Sequence, residues 1–154
     1  MTNLITPHTI LLKGVPQFKE LPLDGDIYGA TPITPGMLCA RTDTGTVKPH
    51  AGAAALASPI FAVENAIFEG RGIDNDYTET DEAVLLAFCQ PGDEVYALLE
   101  AGTGNTTAIA TLLESNGAGF LQVGSTAPVA RALEAVDNDP GTNSAPMRIR
   151  VEVL

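Results

Sequence analysis

Residues 148–154, RIRVEVL, carry the clearest structural signal in the chain. Charged side chains alternate there with Ile149, Val151 and Val153. Successive side chains of a β-strand point to opposite faces, so this pattern can bury one face and leave the other in water. The stretch therefore predicts a strand with one face on an apolar core.

Turn residues divide the rest of the chain into short apolar runs, with 11 prolines and 15 glycines among 154 residues. Both residue types are depleted from the interiors of helices and strands, so the elements are expected to be short. The runs predict a strand at 37–41, a turn at 43–46 followed by a second strand, and further strands at 60–64 and 83–89. They also predict a hairpin over 110–124 with Asn116 and Gly117 at its tip.

Two segments, 93–101 and 128–136, carry conflicting signals. Their apolar residues recur at the spacing of one helical face. Asp93 and Glu94 also stand where a first helical turn favours acidic side chains. Local spacing alone therefore favours helices in both segments.

Residues 1–26 differ in character from the rest of the chain. Prolines at positions 7, 16 and 22 forbid a long helix, and Ile10, Leu11 and Leu12 form a short apolar patch. An edge strand with loops and an extension that reaches onto a partner both fit this composition. We interpret the chain as an extended N-terminal arm, residues 1–26, followed by a β domain, residues 27–154.

Composition narrows the class of protein. The length suits one domain with a substantial core. The net charge is −11, and the eight Lys and Arg residues are scattered, so we expect no nucleic-acid partner. The longest weakly polar stretch, residues 51–63, is too short to cross a bilayer, and no secretory signal is visible, so we expect no membrane partner. Cys39 and Cys89 are expected to be free and buried.

The sequence does not match the motifs for catalysis or cofactor binding that its acidic, glycine-rich and histidine-containing stretches suggest. The acidic stretch 70–82 lacks the Gly and Glu positions of an EF-hand and is predicted to be an exposed loop. Residues 101–107, AGTGNTT, lack the Lys of a P-loop. Only His8 and His50 could serve a nucleophile as base, and neither stands in a triad motif. We therefore expect no enzyme activity, metal or cofactor.

A series of phrases between residues 33 and 154 carries a family resemblance. The phrases are ITPGMLCAR, TGTVKPHAG, GIDNDYTETDEAV, FCQPGDEVYALLEAG, LLESNGAGFLQV, RALEAVDN and RIRVEVL. In this order they resemble the capsid decoration proteins of tailed bacteriophages, also called cement or head-stabilising proteins. The resemblance implies a mainly β, compact barrel-like or tulip-like domain of short strands, with strands rather than helices at 93–101 and 128–136.

The resemblance also implies a function. Similar proteins bind the outer surface of the capsid as trimers and stabilise the shell by bridging neighbouring major capsid subunits. The expected partners are thus the major capsid protein and further copies of this chain. The expected location is the exterior of the virion, after synthesis in the host cytoplasm. Within the arm, we expect Thr9, Ile10, Leu11 and Leu12 to contact the capsid or a neighbouring subunit.

Three alternatives stay open. The chain could be another structural protein of a phage head or tail. It could be a biotinyl- or lipoyl-like carrier domain, although no lysine follows Lys48 to accept the cofactor. It could be a small hydrolase, which would need a pocket that holds two carboxylates close together.

Overall fold

Short β-strands make up the fold, as the turn-rich sequence predicts. A computed structural model describes residues 6–26, 29–66, 70–139 and 145–154. In this part of the chain the strands are β1 (Leu11–Lys13), β2 (Gln17–Pro22), β3 (Gly25–Asp26), β4 (Gly29–Ala30), β5 (Cys39–Arg41), β6 (Val47–Pro49), β7 (Ile60–Ala62), β8 (Ala83–Phe88), β9 (Glu94–Leu99), β10 (Thr106–Thr107), β11 (Leu112–Ser115), β12 (Leu121–Val123), β13 (Ala130–Ala132), β14 (Val136–Asp137) and β15 (Met147–Val153).

Five strands close into a β-barrel in the order β9, β12, β11, β13 and β15. The ring closes because β15 runs antiparallel along the whole of β9, from Met147 opposite Leu99 to Glu152 opposite Glu94. The RIRVEVL stretch is thus the strand that completes the barrel. Its alternation is confirmed, since Ile149, Val151 and Val153 are buried.

A three-stranded sheet, in the order β2, β8, β7, lies beside the barrel. Residues directly opposite one another on paired strands share a face, so Phe61 and Ala87 point to the same side of this sheet. That side belongs to the main apolar cluster, together with Leu113 and Leu121 of the barrel. The opposite side, which includes Leu86, packs into a second cluster.

The arm predicted over residues 1–26 is not confirmed. Strand β1 pairs with β9 of the barrel, and β2 pairs with β8 along six residues. Ile10 is 0% exposed and belongs to the main cluster. The prolines bound short strands here, with Pro16 just before β2 and Pro22 at its end, which is how an edge strand accommodates proline. The described part of residues 1–26 is therefore part of the folded domain; residues 1–5 lie outside the described residues.

Both segments with conflicting signals are strands. Residues 94–99 form β9, which is paired with β15 on one edge and with β1 and β12 on the other. Residues 130–132 form β13, between β11 and β15. Pairing on both edges overrides the local helical spacing, because each strand contributes hydrogen bonds and buried side chains to the barrel.

Several smaller predictions are also confirmed. The turn at 43–46 joins β5 to β6, and Asn116 and Gly117 lie in the loop that joins β11 to β12. Cys39 and Cys89 are free and buried. In the described part of the chain, no helix has the length and apolar character needed to cross a membrane.

Candidate partner-binding groove

A groove of about 430 Å³ lies between β1 and the face of the three-stranded sheet that looks toward the barrel. Its walls are mostly apolar. The residues that matter for its chemistry are Thr9, Leu11, Phe18, Val63, Asn65 and Leu85. Its volume falls in the range of ligand sites, roughly 300–1,000 Å³.

Strand pairing positions the apolar wall. Phe18 of β2 lies opposite Ala87 of β8, and Glu20 lies opposite Leu85. These four residues therefore share one face of the sheet. Phe18 is nevertheless 53% exposed, because β2 is the edge strand of its sheet. A half-exposed aromatic side chain thus lines the open side of an apolar groove.

Glu64 ties the two sides of the groove together. Its Oε2 atom accepts a hydrogen bond of 3.0 Å from the backbone N–H of Ile10, which immediately precedes β1. Ile10 is fully buried, so its N–H needs an acceptor, and the carboxylate supplies one. The groove therefore has a fixed wall on the β1 side and an acidic group within its lining.

Asn65 is the unusual residue of the groove. It is 1% exposed, and neither its Nδ2 nor its Oδ1 atom has a hydrogen-bond partner among the described residues. Its backbone carbonyl is satisfied by the N–H of Arg71, at 3.2 Å. A buried polar group without a partner costs roughly 1–3 kcal/mol, so most such groups in proteins are paired. We therefore expect the unpaired amide of Asn65 to lower the stability of the isolated domain.

The four residues predicted to make contacts divide between groove and core. Thr9 and Leu11 line the groove, whereas Ile10 is buried in the main cluster. Leu12 is half-buried and lies where the register between β1 and β9 shifts, and it is not one of the residues that line the groove. Sequence reasoning missed Phe18, although an aromatic residue in the polar run QFKE was a signal that could have drawn attention to it.

Sequence reasoning also missed Val63, Asn65 and Leu85. Val63 and Asn65 follow β7, whereas Leu85 lies in β8, and pairing of β7 with β8 brings the two segments together. No local spacing links Leu85 to the other two residues, so only the strand register could have revealed the site.

A buried histidine–serine pair is the nearest approach to catalytic chemistry among the described residues that sequence analysis considered. His50 Nδ1 and Ser115 Oγ lie 2.8 Å apart, and the N–H of Gly117 donates to the same Oγ over 3.1 Å. Ser115 is 0% exposed, so its hydroxyl is closed to a substrate. The backbone N–H of Gly119 also donates to the His50 carbonyl, at 3.1 Å. These contacts fasten the β11–β12 hairpin to the loop after β6.

The buried carboxylate of Glu114 likewise has structural partners. Its Oε2 accepts hydrogen bonds from the N–H groups of Thr126 and Ala127, at 2.9 and 3.0 Å. A side chain at Gly124 would place its Cβ 2.2 Å from Oε1, so only glycine leaves room for the carboxylate. Glu114 therefore holds the loop between β12 and β13 in place.

The acidic loop 70–82 is fastened to the barrel by one arginine. The Arg148 Nη1 donates to Asp74 Oδ1 over 2.9 Å, and Nε donates to the carbonyl of Pro35 over 3.2 Å. Within this loop Tyr77 is fully buried and donates its hydroxyl to the Val63 carbonyl, so the prediction of exposure fails at that residue. Among the described residues, no group of three or more His, Cys, Asp or Glu side chains could hold a metal ion.

Burial also governs the two thiols. It raises the pKa of Cys39 from the usual 9.0 to about 12. The pKa of Cys89 rises to the same value, mainly through burial and secondarily through the nearby negative charge of Asp93. Because the thiolate is the reactive form, both cysteines are poor nucleophiles at neutral pH.

No protein-family model and no curated protein matches this chain at a significant level.

Proposed function

We propose that this protein is a structural virion protein, a capsid decoration protein of a tailed bacteriophage. It binds the outer surface of the shell as a trimer and bridges neighbouring major capsid subunits, without catalysing a reaction. The resemblance of the phrases between residues 33 and 154 to such proteins supports this proposal. The observation that carries it on the structural side is the groove, where a half-exposed Phe18 lies beside an unpartnered, buried Asn65.

The physical requirements of shell stabilisation fit a small rigid binder. A shell under pressure from packaged DNA gains from added contact area between its subunits. Each copy contributes a modest interface, and symmetric repetition multiplies its effect over the particle. In protein interfaces, an aromatic side chain in a desolvated pocket supplies a large share of the binding free energy. Phe18 could serve as such an anchor once a partner covers it.

Charge is consistent with this location. In the proposal the protein is made in the host cytoplasm and joins the virion exterior, where it meets neither the packaged DNA nor a membrane. A net charge of −11 disfavours binding to phosphate backbones and keeps free copies in solution.

The direct test is to add the purified protein to expanded shells that have been stripped of it, taken from the phage that encodes the chain. We expect the melting temperature of the shell, measured by calorimetry, to rise with the amount of protein added until the sites are filled. An unrelated acidic β-barrel protein of similar size serves as the control. A shell that melts at the same temperature with and without the protein would contradict the proposal.

A further inference from the structure

We infer that the groove binds an extended peptide segment of the partner, in which a large apolar side chain is flanked by a basic residue. The backbone of that segment pairs with the amide of Asn65. This inference rests on the proposed function, since the partner would then be the major capsid protein.

The unpartnered amide defines the polar part of the ligand. A side-chain amide presents a carbonyl acceptor and N–H donors side by side. A ligand that satisfies both at once must offer a donor next to an acceptor, and the backbone of an extended peptide does so at every second residue. Asn65 is closed to water in the isolated domain, so pairing requires rotation of its amide or a small movement of the wall. Relief of the unpaired group favours that movement.

The walls define the apolar part. Leu11 and Phe18 line the groove together with Leu85. Phe18 keeps about half of its surface in water, although it lies next to the main core. An apolar side chain placed against it would remove that surface from water and gain the corresponding hydrophobic free energy. The ligand therefore carries one large apolar residue at the position that enters the groove.

Charge complementarity defines the flanking residue. Glu64 lies in the lining, and Glu20 shares the Phe18 face of β2. Lys13 lies at the other end of β1 from Ile10, and its Nζ is 3.9 Å from Glu94 Oε1. The groove is thus apolar in its walls and carries the Glu64 carboxylate in its lining, with Glu20 on the same face of β2 as Phe18. A basic side chain beside the apolar one complements it and discriminates against acidic segments.

The test compares three single variants with the wild-type protein in sedimentation binding to the same stripped, expanded shells. F18S removes the aromatic wall, and N65L removes the amide while keeping a side chain of similar size. L56S is the matched control, because Leu56 is an apolar residue that is 91% exposed and lies outside the groove. All three variants are first checked for a cooperative thermal transition and for oligomeric state.

We expect F18S to bind at least about tenfold more weakly, as truncation of an interface anchor does. We expect N65L to bind about tenfold more weakly as well, because it leaves a peptide group of the ligand unpaired. L56S should bind within about twofold of the wild-type protein, since exposed apolar residues outside an interface contribute little. Binding by the wild-type protein should also weaken as salt is raised, since the basic flank loses its attraction to the groove.

The outcomes separate the two proposals. If the wild-type protein binds shells and both groove variants bind equally well, the inference about the groove is wrong and the proposed function stands. If F18S or N65L changes the oligomeric state, the occupant is a second copy of this chain and the capsid segment is rejected. If the wild-type protein does not bind shells at all, both proposals fail.

Discussion

Two buried polar side chains, Glu114 in the barrel and Asn65 in the groove, differ in whether they have hydrogen-bond partners. They are 5% and 1% exposed, respectively. Glu114 accepts hydrogen bonds from two backbone N–H groups, whereas both polar atoms of the Asn65 side chain have no partner among the residues that the structure describes. The barrel therefore satisfies the buried Glu114 carboxylate by itself, while the described part of the groove leaves the Asn65 amide unpaired.

The apolar residues repeat the contrast. Strands of the barrel have a neighbour on each side because the ring is closed, and their inward side chains are covered. Strand β2 lies at the edge of its sheet, and its Phe18 stays half-exposed. A closed barrel abolishes exposed strand edges, whereas an edge strand offers a surface for association. The difference teaches which part of the molecule maintains the fold and which part is available to a partner.

The largest expected effect would come from a change at Ile10, whose side chain is buried beside the groove. We expect Ile10→Ala to lower the free energy of unfolding by about 2–5 kcal/mol, because it removes a fully buried side chain from the main cluster. Urea unfolding measures the change. The exposed neighbour gives the control, as Thr9→Ala should alter stability by less than about 0.5 kcal/mol. If Ile10→Ala were as stable as the wild-type protein, residues 1–26 would have to be regarded as an arm separate from the core, which would contradict the comparison.

Removing the Glu114 carboxylate from the barrel should lower the free energy of unfolding somewhat less than Ile10→Ala does. Glu114→Ala leaves the N–H groups of Thr126 and Ala127 without their acceptor, and we expect the free energy of unfolding to fall by about 2–4 kcal/mol. Glu114→Gln keeps one acceptor oxygen and should fall between that variant and the wild-type protein. Equal stability of all three proteins in urea would show that the barrel does not depend on this buried charge.

Replacing the buried polar residue of the groove, Asn65, should raise the free energy of unfolding rather than lower it. Asn65→Leu replaces an unpaired buried amide with an apolar side chain of similar size, so we expect the free energy of unfolding to rise by about 1 kcal/mol. A stabilising change that weakens binding is typical of residues retained for function. If Asn65→Leu instead destabilises the protein in thermal unfolding, the amide has a structural role and the comparison loses its basis.

The smallest expected effect is a change in the free energy of unfolding with pH, and it arises from the two buried cysteines. Burial raises the pKa of Cys39 and of Cys89 to about 12, so the folded state holds both protons where the unfolded chain begins to release them, near 9.0. The stability from the protonated thiols is fully present well below pH 9, begins to fall as pH approaches 9, and continues to fall as pH rises toward 12. Between pH 7 and pH 9 we expect a loss of roughly 1 kcal/mol.

The double variant Cys39→Ala/Cys89→Ala provides the control for this alkaline loss. Its unfolding free energy should be lower at pH 7 but should change less between pH 7 and pH 9 than that of the wild-type protein. Parallel pH profiles for the two proteins would show that the thiols do not contribute.

Local patterns in the sequence predict much of this fold because they report which face of a strand is buried. RIRVEVL and the Asn116–Gly117 hairpin are examples, and the structure confirms both. Local patterns do not report which strands pair. For that reason residues 94–99 carry a helical spacing and yet form β9, a strand that pairs with β1, β12 and β15.

The groove could not be predicted from local patterns either, because it too depends on which strands pair. The sequence predicts contacts for Thr9, Ile10, Leu11 and Leu12 together, and of these Thr9 and Leu11 line the groove. Phe18 and Asn65 become part of one surface only through the pairing of β2 and β7 with β8. That Asn65 has no partner is a property of the folded surroundings, and no spacing of residue types along the chain encodes it.

The most direct measurement is a cryo-electron microscopy map of the phage shell decorated with this protein. We predict density for a segment of the major capsid protein within the groove, in contact with Phe18 and hydrogen-bonded to the amide of Asn65. A decorated shell in which the groove faces open solvent would contradict the account, as would a shell that carries no copy of the protein.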